Sequence, residues 1–326
     1  MRILKPKLLL SSLVIILLLF TSFSLSGKFP DLNDLRSILK DGKYGWIFYS
    51  FSFFCANFIR SLRWRYLLRK HVRLTIFQAW SNFQWLFMIK SISPFMTGEL
   101  ARVLWLKSKG GSGTFGVGVF LFEKITDVIV LFFISIVVVF YSFNDTVTMT
   151  EKSVIGGMIF SVLVAIIFAD KLEVVFRFFI RLSSMNDVSN KIFHKRIVSL
   201  QNALLSNLSP MQRTRVIFMT LVIWLCLALG MSGAMYSLGE LFHWTQGPGL
   251  VVSANFAGFI SPLPANIGTY QFAGSSILVH YGVNVKEAIS LTVILQMLML
   301  FQVIAIGLIT FWLFGTIEEK EHGNGK

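Results

Sequence analysis

The chain has 326 residues, 55% of them apolar and 14% charged, and a mean hydropathy of +0.69. Apolar runs long enough to need a bilayer recur along its length, which excludes a water-soluble single-core domain. The net charge of +14 does not point to nucleic acid, because the cations gather in short loops between apolar spans, the positive-inside pattern.

The first element is an apolar run at 8–26 behind Arg2, Lys5 and Lys7. It exceeds the ~7–15-residue core of a signal peptide, so a retained helix with a cytoplasmic N-terminus is expected rather than a cleaved leader. A mixed-charge exterior loop, 27–43, leads to a second span at 44–61. The loop that follows carries Arg60, Arg63, Arg65, Arg69, Lys70 and Arg73 without an acid and is read as cytoplasmic. Cys55 and Cys226 fall inside apolar runs and read as buried thiols rather than a disulfide.

The next apolar segment, 76–104, is broken at Pro94 and Gly98. Arg102, Lys107 and Lys109 on its far side match the basic loop before it, so both flanks lie on the cytoplasmic side. The segment is therefore expected to be a re-entrant hairpin. Glu99 and Arg102 follow the break at i and i+3 and share one helix face. They either pair with each other at the boundary, or Arg102 grips a lipid phosphate while Glu99 orients it.

A span at 115–142 carries Glu123, Lys124 and Asp127. At ~1.5 Å per residue, Glu123 is about 12 Å and Asp127 about 18 Å along it. A charge near the bilayer centre costs at least ~2.5–3.5 kcal/mol, so both should face the bundle interior. Spaced i and i+4, they share a face that Lys124 does not. That face is either a polar network holding helices together or a translocation surface shared with Arg102.

An exterior loop at 143–152 and a span at 153–169 follow. The basic, partly amphipathic linker 170–215 is read as skimming the cytoplasmic surface. After a span at 216–239, the segment 250–281 is broken at Pro262, Pro264 and Gly268, with both flanks outside. Asn266 and Gly268 suit a turn, since both residue types tolerate left-handed backbone. Gln271 and the later Gln296 are either interhelical hydrogen bonds or ligand contacts. The last span, 287–314, precedes a short polar tail, 316–326, expected to be disordered and cytoplasmic.

The two broken segments share a signature: Ile92-Ser93-Pro94 with Gly98, and Ile260-Ser261-Pro262 with Gly268. Entering from opposite faces, they suggest an inverted repeat of about 44–142 and 216–315 within one membrane domain. Broken helices at a repeat interface are a recurrent transporter plan, and non-helical backbone at that depth must be packed in protein or line a cavity. The expected fold is an all-α integral membrane protein with about six full transmembrane helices plus two re-entrant broken-helix hairpins. His71, His194, His243 and His280 are scattered, and no GxSxG, P-loop or CxxC stands in the chain. No metal, cofactor or catalytic residue is therefore expected.

Arg60-x-x-Arg63-Trp64, Pro94-x-x-x-Gly98-Glu99-x-x-Arg102, Glu123-Lys124-Ile125-Thr126-Asp127 and Pro264-x-x-x-Gly268 resemble the transmembrane region of lysylphosphatidylglycerol synthases, over roughly 10–315. The resemblance implies a flippase-like protein of the bacterial or archaeal cell membrane that moves or presents a phospholipid or lipid-linked sugar between leaflets. In that reading Arg102, with Arg63 and Arg65 at the cytoplasmic entrance, attracts the phosphate. Glu99, Glu123 and Asp127 shape the polar track, with Asn266 and Gln271 as neutral contacts in the second repeat. Where the family usually carries a glutamate after its Gly pair and a later intramembrane arginine, this chain has Gln271 and Gln296. The last span ends near Phe314, so no soluble synthase or glycosyltransferase domain is expected, and translocation is preferred to catalysis. The alternatives are a membrane enzyme acting on a polyprenyl-phosphate or phospholipid headgroup, and a partner of an envelope glycosyltransferase or lipid-modifying enzyme.

Overall fold

The computed structural model describes residues 32–92, 97–142, 208–236, 245–260 and 266–323. The expected spans 8–26 and 153–169, nearly all of the linker 170–215, and the break prolines Pro94, Pro262 and Pro264 lie outside the described residues. Every extended element among the described residues is an α-helix: α1 (Leu32–Asp41), α2 (Lys43–Leu68), α3 (Ile76–Ile92), α4 (Thr97–Ser108), α5 (Gly113–Ser142), α6 (Pro210–Tyr236), α7 (Gln246–Ile260), α8 (Thr269–His280) and α9 (Val285–Gly323).

Local sequence sets several of these starts. Thr75 and Gln78 form a capping box before α3: the Thr75 N–H donates to Gln78 Oε1 at 3.0 Å and the Gln78 N–H to Thr75 Oγ1 at 3.1 Å. Ser209 and Gln212 repeat the arrangement at 3.2 and 3.4 Å before α6. Pro210 there takes the first helical position, where a missing N–H costs nothing.

Among the described residues, three helices are long and apolar enough to cross a membrane: Gly113–Tyr141, Pro210–Tyr236 and Val285–Leu313. The expected second span is also helical, as α2, but its Trp, Tyr and Arg content makes it less apolar. Two expectations need correction. The loop 27–43 contains the ten-residue helix α1. The tail does not leave the helix at 316, since α9 continues to Gly323. Its Glu and Lys residues are good helix formers, and no Pro or Gly interrupts Thr316–His322.

The chain forms two compact units. The first comprises Met1–Arg65, Leu74–Ala101 and Val222–Lys326; the second comprises Tyr66–Arg73 and Arg102–Leu221. In the first unit α9 packs against α3, α8 and α1, and α7 packs against α8. Small residues let α6 approach two neighbours, as membrane helices do when close packing replaces the hydrophobic effect. A Cβ at Gly230 would sit 2.8 Å from Ser52 Cβ on α2, and one at Gly233 would strike Phe48. Elsewhere on α6, Gly247 of α7 lies so near Ala228 and Ser232 that an added Cβ would meet the Ala228 carbonyl oxygen at 2.6 Å. Polar tethers join the helices further: Ser81 Oγ donates to the Thr310 carbonyl at 3.3 Å, and Gln302 Nε2 to the Ser50 carbonyl at 3.1 Å.

In the second unit a tight turn joins α4 to α5. Gly110 takes φ +80°, a conformation glycine accepts without strain, and the Gly111 N–H closes on the Leu106 carbonyl at 3.0 Å. Ser112 Oγ then accepts from the Phe115 N–H at 3.3 Å, capping α5. Ser112→Ala is expected to cost about 1 kcal/mol, read as a lower thermal midpoint of the purified protein. Gly116 brings α5 onto α4, where an added Cβ would lie 3.4 Å from Val103 Cα.

Candidate functional site

The α4–α5 turn determines which charges meet. With Gly116 against Val103, the side chain of Arg102 reaches along α5 to Glu123. Arg102 Nη2 donates to Glu123 Oε2 at 2.8 Å, and the two side chains are only 14% and 4% exposed. Removing two charges from water is costly, and a close charge-assisted bond in the low-dielectric interior offsets part of that cost. Arg102 reaches Glu123 because the turn folds α5 back beside α4. The side chain of Glu99 lies outside the described residues, although its position belongs to the first turn of α4.

One turn further along α5, Asp127 is buried on the same face, as the i and i+4 spacing requires. Thr126 is buried as well, its hydroxyl donating back to the Phe122 and Glu123 carbonyls at 2.9 Å each. Lys124 turns off this face, with its ammonium 5.8 Å from the Phe120 ring centroid. The cluster therefore combines one arginine and two carboxylates on adjoining helices.

Arg213 joins the same unit's interior, at 1% exposure. In the sequence it is one cation among many in a basic linker. A signal for it was present nonetheless: Arg213, Val216, Thr220 and Ile223 recur at helical spacing, and all four are buried. Following the apolar face of α6 back toward Pro210 would have found it.

The basic residues expected at the entrance separate by role. Arg65 Nε donates to the Leu74 carbonyl at 2.6 Å, holding the turn into α3. Arg63 is buried, while Arg60 donates to Asn57 Oδ1 at 3.1 Å and lies 5.4 Å from the Trp224 ring centroid.

In the first unit, α7 and α8 form an antiparallel hairpin. At its open end Tyr281 Oη donates to the Thr245 carbonyl at 3.3 Å, and at its closed end Asn266 packs against Gly258. Asn266 at φ 59° and Gly268 at φ 87° make the turn, as their residue types predict. The helices have 15 and 12 residues, about 22 and 18 Å at ~1.5 Å per residue. Each is short of the ~30 Å hydrocarbon core. Past the turn, the Gly268 N–H donates to Gln271 Oε1 at 2.7 Å, and Gln271 Nε2 donates to Gln296 Oε1 on α9. The two glutamines are thus an interhelical hydrogen bond. Gln271→Leu removes both contacts and is expected to cost about 1 kcal/mol, measured by thermal unfolding in detergent.

Long apolar helices, a broken helical hairpin and a buried ion pair with further polar groups define a multi-pass α-helical membrane protein with a charged interior. Residues 7–307 match the family described as the lysylphosphatidylglycerol synthase TM region, and the chain belongs to that family. It is a membrane protein of lipid or cell-envelope metabolism. No curated protein and no solved structure matches it.

Proposed function

We propose that the protein is a flippase-like translocator of a phosphate-bearing lipid, a phospholipid or a lipid-linked sugar, in the cytoplasmic membrane, with both termini in the cytoplasm. The observation that carries this reading is the part-buried Arg102–Glu123 pair. An arginine paired with a carboxylate can exchange that contact for a phosphate, which its planar fork matches equally well. Glu123 and Asp127 would then hold the arginine oriented and keep the track polar while the acyl or prenyl chains stay in lipid. Glu99 is proposed to support Arg102, with Arg63 and Arg65 raising the anion's concentration at the entrance.

The α7–α8 hairpin supports, on its own, the proposal that the second broken segment is re-entrant. Asn266 and Gln271 would there offer neutral contacts to the uncharged part of a headgroup. An inverted repeat of 44–142 and 216–315 is proposed on the same ground, with alternating access by rocking of one repeat.

The experiment is full-length protein in liposomes, scored for movement of labelled phospholipids and lipid-linked sugars between leaflets. Accelerated movement of one class, lost in Asp127→Asn, is expected. Chemical turnover of a lipid by the purified protein, lost in Glu123→Gln, would instead make it a membrane enzyme.

A further inference from the structure

The turn between α2 and α3 carries a second feature that the charged pair does not use. The Tyr66 ring has two arginines on it, with the Arg69 guanidinium carbon 4.1 Å and that of Arg215 5.6 Å from the ring centroid. Arg69 lies on the last residues after α2 and Arg215 on the first turns of α6, so the ring holds together two cations from distant parts of the chain. His71 stacks on Phe115 at 3.7 Å and 17°, which brings the start of α5 to the same turn. The exposed side chains of these segments include Arg69, Lys70, Arg73, Lys107, Lys109 and Arg215. Residues 66–73, 102–115 and 208–221 contain no Asp or Glu.

Two like charges on one ring repel, and cation–π attraction offsets that only in part. An anion between them would complete the arrangement. The side chains around Arg215 indicate what kind of anion. Met211, Arg215 and Phe218 share one face of α6 at i, i+4 and i+7, with Met211 73% and Phe218 63% exposed. Leu104 and Lys107 pair an exposed apolar residue with a cation on α4 in the same way. A soluble acidic protein or a nucleic acid would meet the charges but leave these apolar side chains uncovered. A lipid satisfies both.

We propose that Arg69, Tyr66 and Arg215 form a binding site for the phosphate of an anionic phospholipid of the adjoining leaflet, with its acyl chains along Phe218. The site is separate from the Arg102–Glu123 pair and does not depend on translocation. Its occupant is a resident lipid that ties the turn after α2 to the start of α6. Tyr66 is a positioning residue that holds the two guanidinium groups over one ring.

The test uses the purified full-length chain in neutral detergent, titrated with phosphatidylglycerol, phosphatidylcholine, inorganic phosphate or polyglutamate. Bound lipid is read by native mass spectrometry and the thermal midpoint is followed in parallel. Phosphatidylglycerol is expected to bind and raise the midpoint, whereas phosphatidylcholine is not. Arg69→Gln with Arg215→Gln should weaken binding roughly tenfold or more, at about 1 kcal/mol per basic residue near an anionic lipid. Both arginines are exposed, so the variants are expected to fold; the single Arg215→Gln variant, with a smaller loss, guards against failure of the pair. Lys286→Gln, on α9, should leave binding unchanged. Equal binding of the two lipids, full retention in the double variant, or equal protection by inorganic phosphate or polyglutamate would each overturn the proposal.

Discussion

Arg102→Ala is expected to destabilise the protein by about 3–5 kcal/mol, because it removes the guanidinium that donates to the buried Glu123 carboxylate. The cost comes from the asymmetry of buried pairs: deleting one partner is far worse than deleting both. Glu123→Gln should cost less, since the amide oxygen can still accept from Arg102 while only the charge is lost. Replacing both residues together, as Arg102→Met with Glu123→Leu, should restore most of the stability, because an apolar pair of similar volume avoids desolvation altogether. Thermal midpoints of the four proteins in one detergent check the series. If Arg102→Ala melts with the wild type, the pair does not hold α4 to α5.

Gly247→Val is expected to cost about 1–3 kcal/mol and to loosen the seat of the α7–α8 hairpin on α6. The first added carbon would meet a carbonyl oxygen and the Ser232 side chain, and the Ala228 carbonyl belongs to a helix backbone that cannot rotate aside. The helices would have to separate, losing the close contact that holds membrane helices together. By contrast, a Cβ at Gly110 meets nothing within 4 Å, so Gly110→Ala should show only the backbone strain of its left-handed φ. A smaller loss for Gly247→Val than for Gly110→Ala, by thermal unfolding, would contradict this packing.

Where sequence reading succeeded, the signal was local. Pro262 with Gly268 marked a segment that could not run as a simple span, and α7 and α8 fold back on each other around the turn at 266–268. Asn266 and Gly268 announced the turn because few other residues accept positive φ. Glu123, Asp127 and Lys124 sorted themselves by helical spacing and by the cost of charge in hydrocarbon.

Where it fell short, the information was not local. Arg102 donates to Glu123, 21 residues further along the chain. That contact depends on the turn at Gly110 and Gly111 and on the room left by Gly116, none of which carries charge. Arg213 was hidden by its company, since a basic loop looks like topology and not like a core. The meeting of Arg69 and Arg215 on one tyrosine ring joins residues that no motif connects.

The most direct measurement is the rate of phospholipid movement in liposomes containing the Arg102→Met, Glu123→Leu double variant, compared with wild type at equal reconstitution. If the pair receives the lipid phosphate, the double variant keeps its fold and thermal midpoint while its translocation falls to the rate of protein-free vesicles. A folded double variant that moves lipid as fast as the wild type would contradict the account.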